Sequence, residues 1–275
     1  MKFNSVFKTI FYGLCLGISL LPPGFSVATM AMILGIYEDL ISLLNDLFSV
    51  KMKSVFKALF FLGVGAIVAI AAFTAIISAS FGLFPYQTRF FFIGLIVGTV
   101  PLIYRQAGVK KNFMMKHYIF LVVALLLTVS LVFADSFSLV EMDGDMTVVN
   151  ILVLVLAGAL LSVSMILPGL SGALVLMLLG VYWFLLESIR SFDFVVLASV
   201  AFGGVLGLVI CGKVIKRLLD NNETSLYSVS LGLVIGSIPV MLSEGIPSSV
   251  FDVFTSLLTC IAGFGVVVIL NSMKK

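Results

Sequence analysis

Two short segments hold the residues best placed to do chemistry. Pro23-Gly24-Phe25-Ser26, with Thr29 close behind, and Pro168-Gly169-Leu170-Ser171-Gly172 each interrupt a long apolar stretch with Pro-Gly and follow it with a hydroxyl. A helix that starts inside a bilayer leaves its first four N–H groups without partners. In hydrocarbon each such group costs several kcal/mol, so the start must face a cavity, a polar ligand or protein. Pro has no N–H to strand, and Gly lets the backbone turn closely. The helix dipole then places about half a positive charge at the start. Such a start favours an anion, phosphate above all. Gly24, Ser26, Thr29, Gly169, Ser171 and Gly172 form the candidate phosphate-binding set, with Ser26 and Ser171 expected to cap their helices or donate to the ligand. One isolated Pro-Gly reads as a kink. Two equivalent ones, each followed by Ser, favour paired half-helix N-termini facing a shared anion.

Charged residues near these segments are candidate charge partners or coupling groups. Glu38 and Asp39 follow Gly35-Ile36-Tyr37 at the far end of the first half-helix, and Glu187 and Arg190 lie near the corresponding end of the second. Intramembrane charge is a functional hypothesis by default; interfacial placement is the alternative for all four. Arg89 and Arg105 flank a short Pro-containing span, where they either help hold a phosphate or anchor at the membrane surface.

Other chemistries lack their residues. The one histidine, His117, falls in a basic loop, and no helix has two metal ligands at i, i+4. Cys15, Cys211 and Cys260 are far apart inside apolar runs, without a C-x-x-C, and read as small buried hydrophobes. Neither a metal nor an organic cofactor is expected; a coupling proton or cation is the one small partner that transport would call for. The net charge of +3 resides in loops, so it reports orientation and not a nucleic-acid partner.

The elements that position these residues are membrane helices. Of 275 residues, 61% are hydrophobic and 11% charged, against about 45–50% and about 25% in soluble domains. The mean hydropathy is +1.27. Unbroken apolar runs exclude the alternating strands of a barrel, so the fold class is an all-α polytopic membrane protein. Ten stretches stand out: Val6–Leu21, Phe25–Leu44, Ala58–Phe84, Phe90–Tyr104, Tyr118–Ala134, Val148–Leu167, Leu170–Leu186, Phe194–Gly212, Leu226–Leu242 and Val250–Leu270. Lys2 and Lys8 ahead of the first imitate a signal peptide. That run ends in Leu21-Pro22-Pro23-Gly24 without a small-x-small cleavage site, so it is read as mature structure.

Charge sets the topology. Lys2 and Lys8 precede the first Pro-Gly pair and Lys51, Lys53 and Lys57 follow it. Both ends therefore belong in the cytoplasm by the positive-inside rule, which makes the pair a re-entrant hairpin. Continuing along the chain, Arg105, Lys110, Lys111 and Lys116 fall inside, and the acidic loop with Asp135, Glu141, Asp143 and Asp145 falls outside. If the second pair is also re-entrant, Lys213, Lys216 and Arg217, then Lys274 and Lys275, return to the cytoplasm. The expected architecture is about six full transmembrane helices and two re-entrant hairpins, with both termini cytoplasmic. Residues 1–134 form the first repeat, 135–146 the acidic extracellular loop and 147–275 the second repeat. Phe25–Leu44 is long for a half-helix, with its far part placed along the interface.

The halves match in sequence. Residues 23–37 align with 168–182 at an offset of 145, with eight of fifteen identical: Pro, Gly, Ser, Ala, Met, Leu, Gly and Tyr. Gly94-Leu95-Ile96-Val97-Gly98-Thr99-Val100-Pro101 aligns with Gly232-Leu233-Val234-Ile235-Gly236-Ser237-Ile238-Pro239 at an offset of 138. The first half begins inside and the second outside, so the repeat is inverted. Inverted repeats with interrupted helices characterise secondary transporters, which bind substrate near the midplane.

Leu21-Pro22-Pro23-Gly24-Phe25-Ser26 with Leu34-Gly35-Ile36-Tyr37-Glu38, together with Ile166-Leu167-Pro168-Gly169-Leu170-Ser171-Gly172 and Leu179-Gly180-Val181-Tyr182, resembles the PopT-like polyprenyl-phosphate translocases of bacterial inner membranes. The likeness covers essentially the whole chain. It implies return of undecaprenyl phosphate, the lipid carrier of cell-wall precursors, from the outer to the cytoplasmic leaflet. The family pattern is roughly P-G-x-S-G-G-T at the first break and P-G-x-S-G-S at the second. Val27 and Ala28 replace two glycines of the first, and Ala173 replaces a serine of the second. With these departures the first break would approach a ligand less closely, and the resemblance does not carry equal roles over to the two breaks. Two rival readings stay open: a small-anion transporter on the same scaffold, and a polyprenyl-lipid phosphatase. The phosphatase needs a nucleophile with a nearby acid or base, which the helices of Ser26 and Ser171 do not supply.

Overall fold

The computed structural model describes residues 3, 5–21, 25–46, 52–109, 113–130, 147–170, 172, 175–176, 179–243 and 245–272. Gly24, Ser171 and the acidic loop lie outside them. Among the described residues there are helices α1 (Val6–Ser19), α2 (Val27–Leu34), α3 (Tyr37–Asn45), α4 (Met52–Leu83), α5 (Pro85–Gln106), α6 (Met115–Ser130), α7 (Val148–Ile166), α8 (Tyr182–Ser191), α9 (Phe194–Ser243) and α10 (Val250–Ser272), and no strands. Five helices are long and apolar enough to cross a membrane: α4, α5, α7, α9 and α10; α2 with α3 makes a sixth if the bent pair counts as one span. The protein is all-helical, as its composition requires.

Two stretches differ from their sequence reading. Phe25–Leu44 is not one half-helix: α2 ends at Gly35, and α3 leaves it at 119°. Gly35 takes a left-handed conformation (φ 67°), its N–H bonds to the Met32 carbonyl, and the Ile36 N–H bonds to the Ala31 carbonyl at 2.9 Å. These are the two bonds of a Schellman stop, for which Gly pays no Cβ penalty. The matched segment ends alike, with Gly180 at φ 76° and the Val181 N–H on the Leu176 carbonyl at 3.1 Å.

The second difference is α9. Fifty residues of helix rise about 75 Å, more than twice the hydrocarbon thickness of about 30 Å. Asn222 leaves helical dihedrals (φ −143°, ψ 46°) and divides the element into arms 194–221 and 223–243, each of membrane length. Lys213, Lys216 and Arg217 accordingly stand on a helix, not in a loop, and Lys216 pairs with Asp220 one turn on, at 2.7 Å.

Small residues set the helix pairs. In lipid, helices associate by close packing at Gly, Ala and Ser and not by hydrophobic exclusion. A methyl on Gly13 or Gly65 would strike the Leu62 or Ile10 backbone, which fixes α1 against α4. A methyl on Gly158 or Gly203 would strike the Val200 or Val155 backbone, which fixes α7 against the first arm of α9. The partners in these two sets sit at the 145 and 138 offsets of the sequence match. Gly94 and Gly98 likewise meet Cys260 and Val267 of α10, while Gly232 and Gly236 meet Leu121, Ala124 and Thr128 of α6.

Ala28, Ala31, Ile33, Ile36, Ile96, Tyr227 and Val234 are almost fully buried in the main core cluster, so α2, α5 and the second arm of α9 are central. α4 and α10 carry outward Phe, Ile and Val side chains such as Phe60, Ile67, Phe254 and Ile261, the surface a lipid-facing helix presents. The three cysteines are free and half-buried, less enclosed than their sequence reading.

Candidate functional site

The two breaks meet. At the end of α7 the chain leaves the helix at Leu167, and Gly169 takes φ 86°; a methyl there would also strike the Val234 backbone. Glycine is therefore required at this turn on two counts. The end of a helix leaves carbonyls without intrahelical donors, and here residues around the first break supply them. The Tyr37 hydroxyl donates to the Ile166 carbonyl at 3.2 Å. The Ser26 hydroxyl donates to the Leu167 carbonyl at 3.3 Å and the Ser164 carbonyl at 3.5 Å. In the other direction, the Gly169 N–H donates to Thr29 Oγ1 at 3.1 Å. Ser26, Thr29 and Tyr37 are 4%, 2% and 2% exposed.

Ser26 thus does not cap its own helix. It sits at the N-cap of α2 with extended backbone (φ −108°, ψ 143°) and makes no side-chain capping bond. Its hydroxyl is turned toward the second break, which leaves the dipole of α2 uncapped by a side chain at the joint. Gly172 is half-buried beside Leu161 and Ser164.

Apolar cavities flank α2 on both sides. One, of about 690 Å³, is walled by Phe25, Met30, Ile33, Phe91, Phe92 and Val266, with Thr88, Thr255 and Thr259 among its few polar groups. The other, of about 280 Å³, lies between Val27, Ala28, Leu62, Ala66, Ile166 and Leu208. Among the described residues no charged side chain lines either. Val27 and Ala28, which stand where the family pattern has glycines, are thus wall residues of the smaller cavity.

The charged candidates divide. Glu38, in the first turn of α3, accepts from the Tyr227 hydroxyl at 3.3 Å and lies within electrostatic reach of Glu223. It joins the joint through its neighbour Tyr37. Asp39 is half-buried one residue on. Arg89 is 7% exposed, and its Nη1 donates to the Gly245 carbonyl at 2.9 Å, tying the start of α5 to the segment before α10. Gln87 reinforces that tie by donating to Asp252 Oδ1 at 3.1 Å and Thr255 Oγ1 at 2.9 Å. Arg105 is exposed at the end of α5, and Glu187 is exposed on α8. Neither contributes to the joint through any bond among the described residues.

Sequence reasoning missed Tyr37 and Tyr227 as polar members of the site, although Tyr37 is one of the eight residues repeated in the second half. It also missed His117, which is not in a loop but in the first turn of α6 and 4% exposed. Among the described residues no group of His, Cys, Asp and Glu is arranged to hold a metal.

Residues 16–250 match the family described as VCA0040-like, undecaprenyl phosphate translocase-like. A polyprenyl-phosphate transporter of Staphylococcus aureus is 30% identical over 266 residues, covering 93% of this chain and 92% of its own. A polyprenyl-phosphate transporter of Vibrio cholerae is 28% identical over 253 residues, covering 86% and 78%. No solved structure matches significantly. The chain belongs to the undecaprenyl phosphate translocase-like family, whose relatives here are named for transport and not for a catalysed reaction.

Proposed function

We propose that this family member returns undecaprenyl phosphate from the outer to the cytoplasmic leaflet of the bacterial inner membrane, for reuse in cell-wall polymer synthesis. The phosphate head passes the joined breaks, and the prenyl tail stays in the apolar cavities and the surrounding lipid. The observation that carries this reading is the joint itself. Two helix interruptions are bridged by Ser26, Thr29 and Tyr37, with an apolar cavity on each side of α2. A substrate with one phosphate and a long hydrocarbon needs that combination: a short polar passage for the head and apolar walls for the rest. A small hydrophilic anion would need a polar cavity leading away from the joint, and the cavities beside it are apolar.

The architecture supporting this motion is an inverted repeat with its hairpins entering from opposite faces. Matched glycine contacts at the two offsets support that symmetry. The phosphate-binding groups are Gly24, Ser26 and Thr29 at the first break and Gly169, Ser171 and Gly172 at the second. An inside-negative potential opposes inward movement of the anion by about 2.3 kcal/mol per charge per 100 mV. A proton or cation moving with the lipid offsets this, and Glu38, held by Tyr227 beside the joint, is the coupling group, with Asp39 as its neighbour.

The test is leaflet exchange in liposomes. Purified protein is reconstituted with fluorescent undecaprenyl phosphate, and the head's accessibility to an external quencher is followed. Protein-dependent exchange is expected, competed by unlabelled polyprenyl phosphate and not by inorganic phosphate. Competition by both ligands alike would favour the small-anion transporter.

A further inference from the structure

A further cavity lies away from the joint, at the bend of α9. Its volume is about 380 Å³, and its walls are Phe113, Met114 and His117 from the start of α6 and residues 221–225 of α9. Unlike the cavities beside α2, this one has polar side chains at six of its eight lining residues. Two features of its walls point to a ligand.

The first is the restart of the helix. Because Asn222 leaves helical dihedrals, the second arm begins at Glu223, and its first turn, Glu223, Thr224 and Ser225, forms the cavity wall. The first N–H groups of a helix and the positive end of its dipole are directed out of that turn. The arm runs for some twenty residues to Ser243, long enough to develop that dipole.

The second feature is independent of the first. His117 is 4% exposed, and its Nδ1 accepts from the Met114 N–H at 2.9 Å. That bond places the proton of the neutral ring on Nε2. Among the described residues Nε2–H has no hydrogen-bond partner, and the ring lines the cavity with Phe113 against it at 5.3 Å. That N–H faces the open cavity without a protein acceptor among the described residues, and a charge-assisted bond to an anion there is stronger than the one water makes. Lys116 and Arg217 stand exposed on the two helices that build the mouth, and Asn221 Nδ2 is taken by the Arg217 carbonyl at 3.0 Å. Among the described residues Glu223 is the one acidic group of the lining, and it is exposed.

We propose that this cavity binds a phosphate monoester, held by His117 Nε2–H and the first-turn N–H groups of the second arm of α9, as a site separate from the joined breaks. The same chemistry is offered by a free phosphate ion and by the head of a polyprenyl phosphate. In the second case the cavity is a docking site on the head's route, which rests on the transport reading above. Glu223 weakens the site for a dianion, so neutralising it strengthens binding.

The single histidine makes the test direct. Full-length protein with a histidine-free tag is labelled with 15N only at histidine, placed in nanodiscs and titrated with inorganic phosphate, farnesyl phosphate and farnesol. The Nε2 resonance is expected to move with a saturable dependence on a phosphate-bearing ligand and not with farnesol. Movement with farnesyl phosphate alone identifies the lipid head as the ligand; movement with inorganic phosphate as well identifies a general phosphate site. No movement with either, or equal movement with farnesol, overturns the proposal. Glu223→Gln, an exposed change that leaves the packing intact, is expected to tighten binding several-fold, and unchanged or weaker binding also counts against the site. His117→Ala, which carries no histidine resonance and is titrated with the same ligands by calorimetry, is expected to weaken binding roughly tenfold to a hundredfold, the worth of one hydrogen bond to a charged acceptor. Leaflet exchange measured on the same samples separates the two readings. Exchange with an unresponsive His117 removes this site alone, and a responsive His117 without exchange removes the transport reading alone.

Discussion

The first break brings side chains to the centre of the molecule, and the second brings backbone. Ser26, Thr29 and Tyr37 reach across from the first half; the Ile166 and Leu167 carbonyls and the Gly169 N–H receive them. The segments are alike in eight of fifteen positions, yet their contributions are complementary and not equal. Once one copy supplies hydroxyls, it no longer needs glycine next to its serine, and Val27 and Ala28 become cavity walls. At the position matching Val27 the other copy has Gly172, where a methyl would meet Leu161 and Ser164; the glycine of Pro-Gly is common to both copies, and at Gly169 it passes within contact of the Val234 backbone.

Substitutions can break this comparison or sharpen it. Gly169→Ala is expected to have the largest effect, about 2–5 kcal/mol of stability, from a left-handed turn and a clash with backbone. Gly172→Ala meets only the side-chain ends of Leu161 and Ser164 and should cost less than about 1.5 kcal/mol. Thermal unfolding in detergent measures both, and equal losses would remove the distinction between them. Thr29→Val keeps the shape and strands the buried Gly169 N–H, for about 1–3 kcal/mol; Thr29→Ser should restore most of it. If Thr29→Val is silent in both unfolding and leaflet exchange, the joint is not held by that bond.

A second pair of changes compares the halves through their helix packing. Gly13→Ala and Gly158→Ala each drive a methyl into a facing backbone, and similar losses of about 1–3 kcal/mol are expected. Gly63→Ala meets nothing within 4 Å and should be neutral or stabilising by up to about 1 kcal/mol. A large loss at one of the first two and none at the other would contradict equivalent packing. The smallest effects belong to single hydroxyls: Tyr37→Phe at about 1 kcal/mol, then Ser26→Ala at about half that, since its bonds are the longest of the set.

Much of this was legible in the sequence, for physical reasons. Long apolar runs dictate helices, and the repeated Pro-Gly-x-Ser marks the breaks because few other residues tolerate a helix start in hydrocarbon. The bend between α2 and α3 was harder to see. Gly35 is a standard helix stop, but no polar residue lies between Thr29 and Tyr37, so hydropathy runs through it. α9 misled in the opposite sense: Lys213, Lys216 and Arg217 look like a loop and stand on a helix that pairs Lys216 with Asp220 one turn on and bends at Asn222. His117 sits beside Lys116 and near other basic residues, and nothing local signals that its ring turns inward. Contacts between the breaks were not legible at all, because they join residues more than 120 positions apart.

The most direct test of the account compares wild-type protein with the Ser26→Ala/Ser171→Ala double variant, reconstituted at equal density, in the undecaprenyl phosphate exchange assay. The account predicts protein-dependent exchange in the wild type and a strongly reduced initial rate in the double variant, with expression and unfolding temperature nearly unchanged. A folded double variant that exchanges the lipid at the wild-type rate would contradict passage of the phosphate head through the joined breaks.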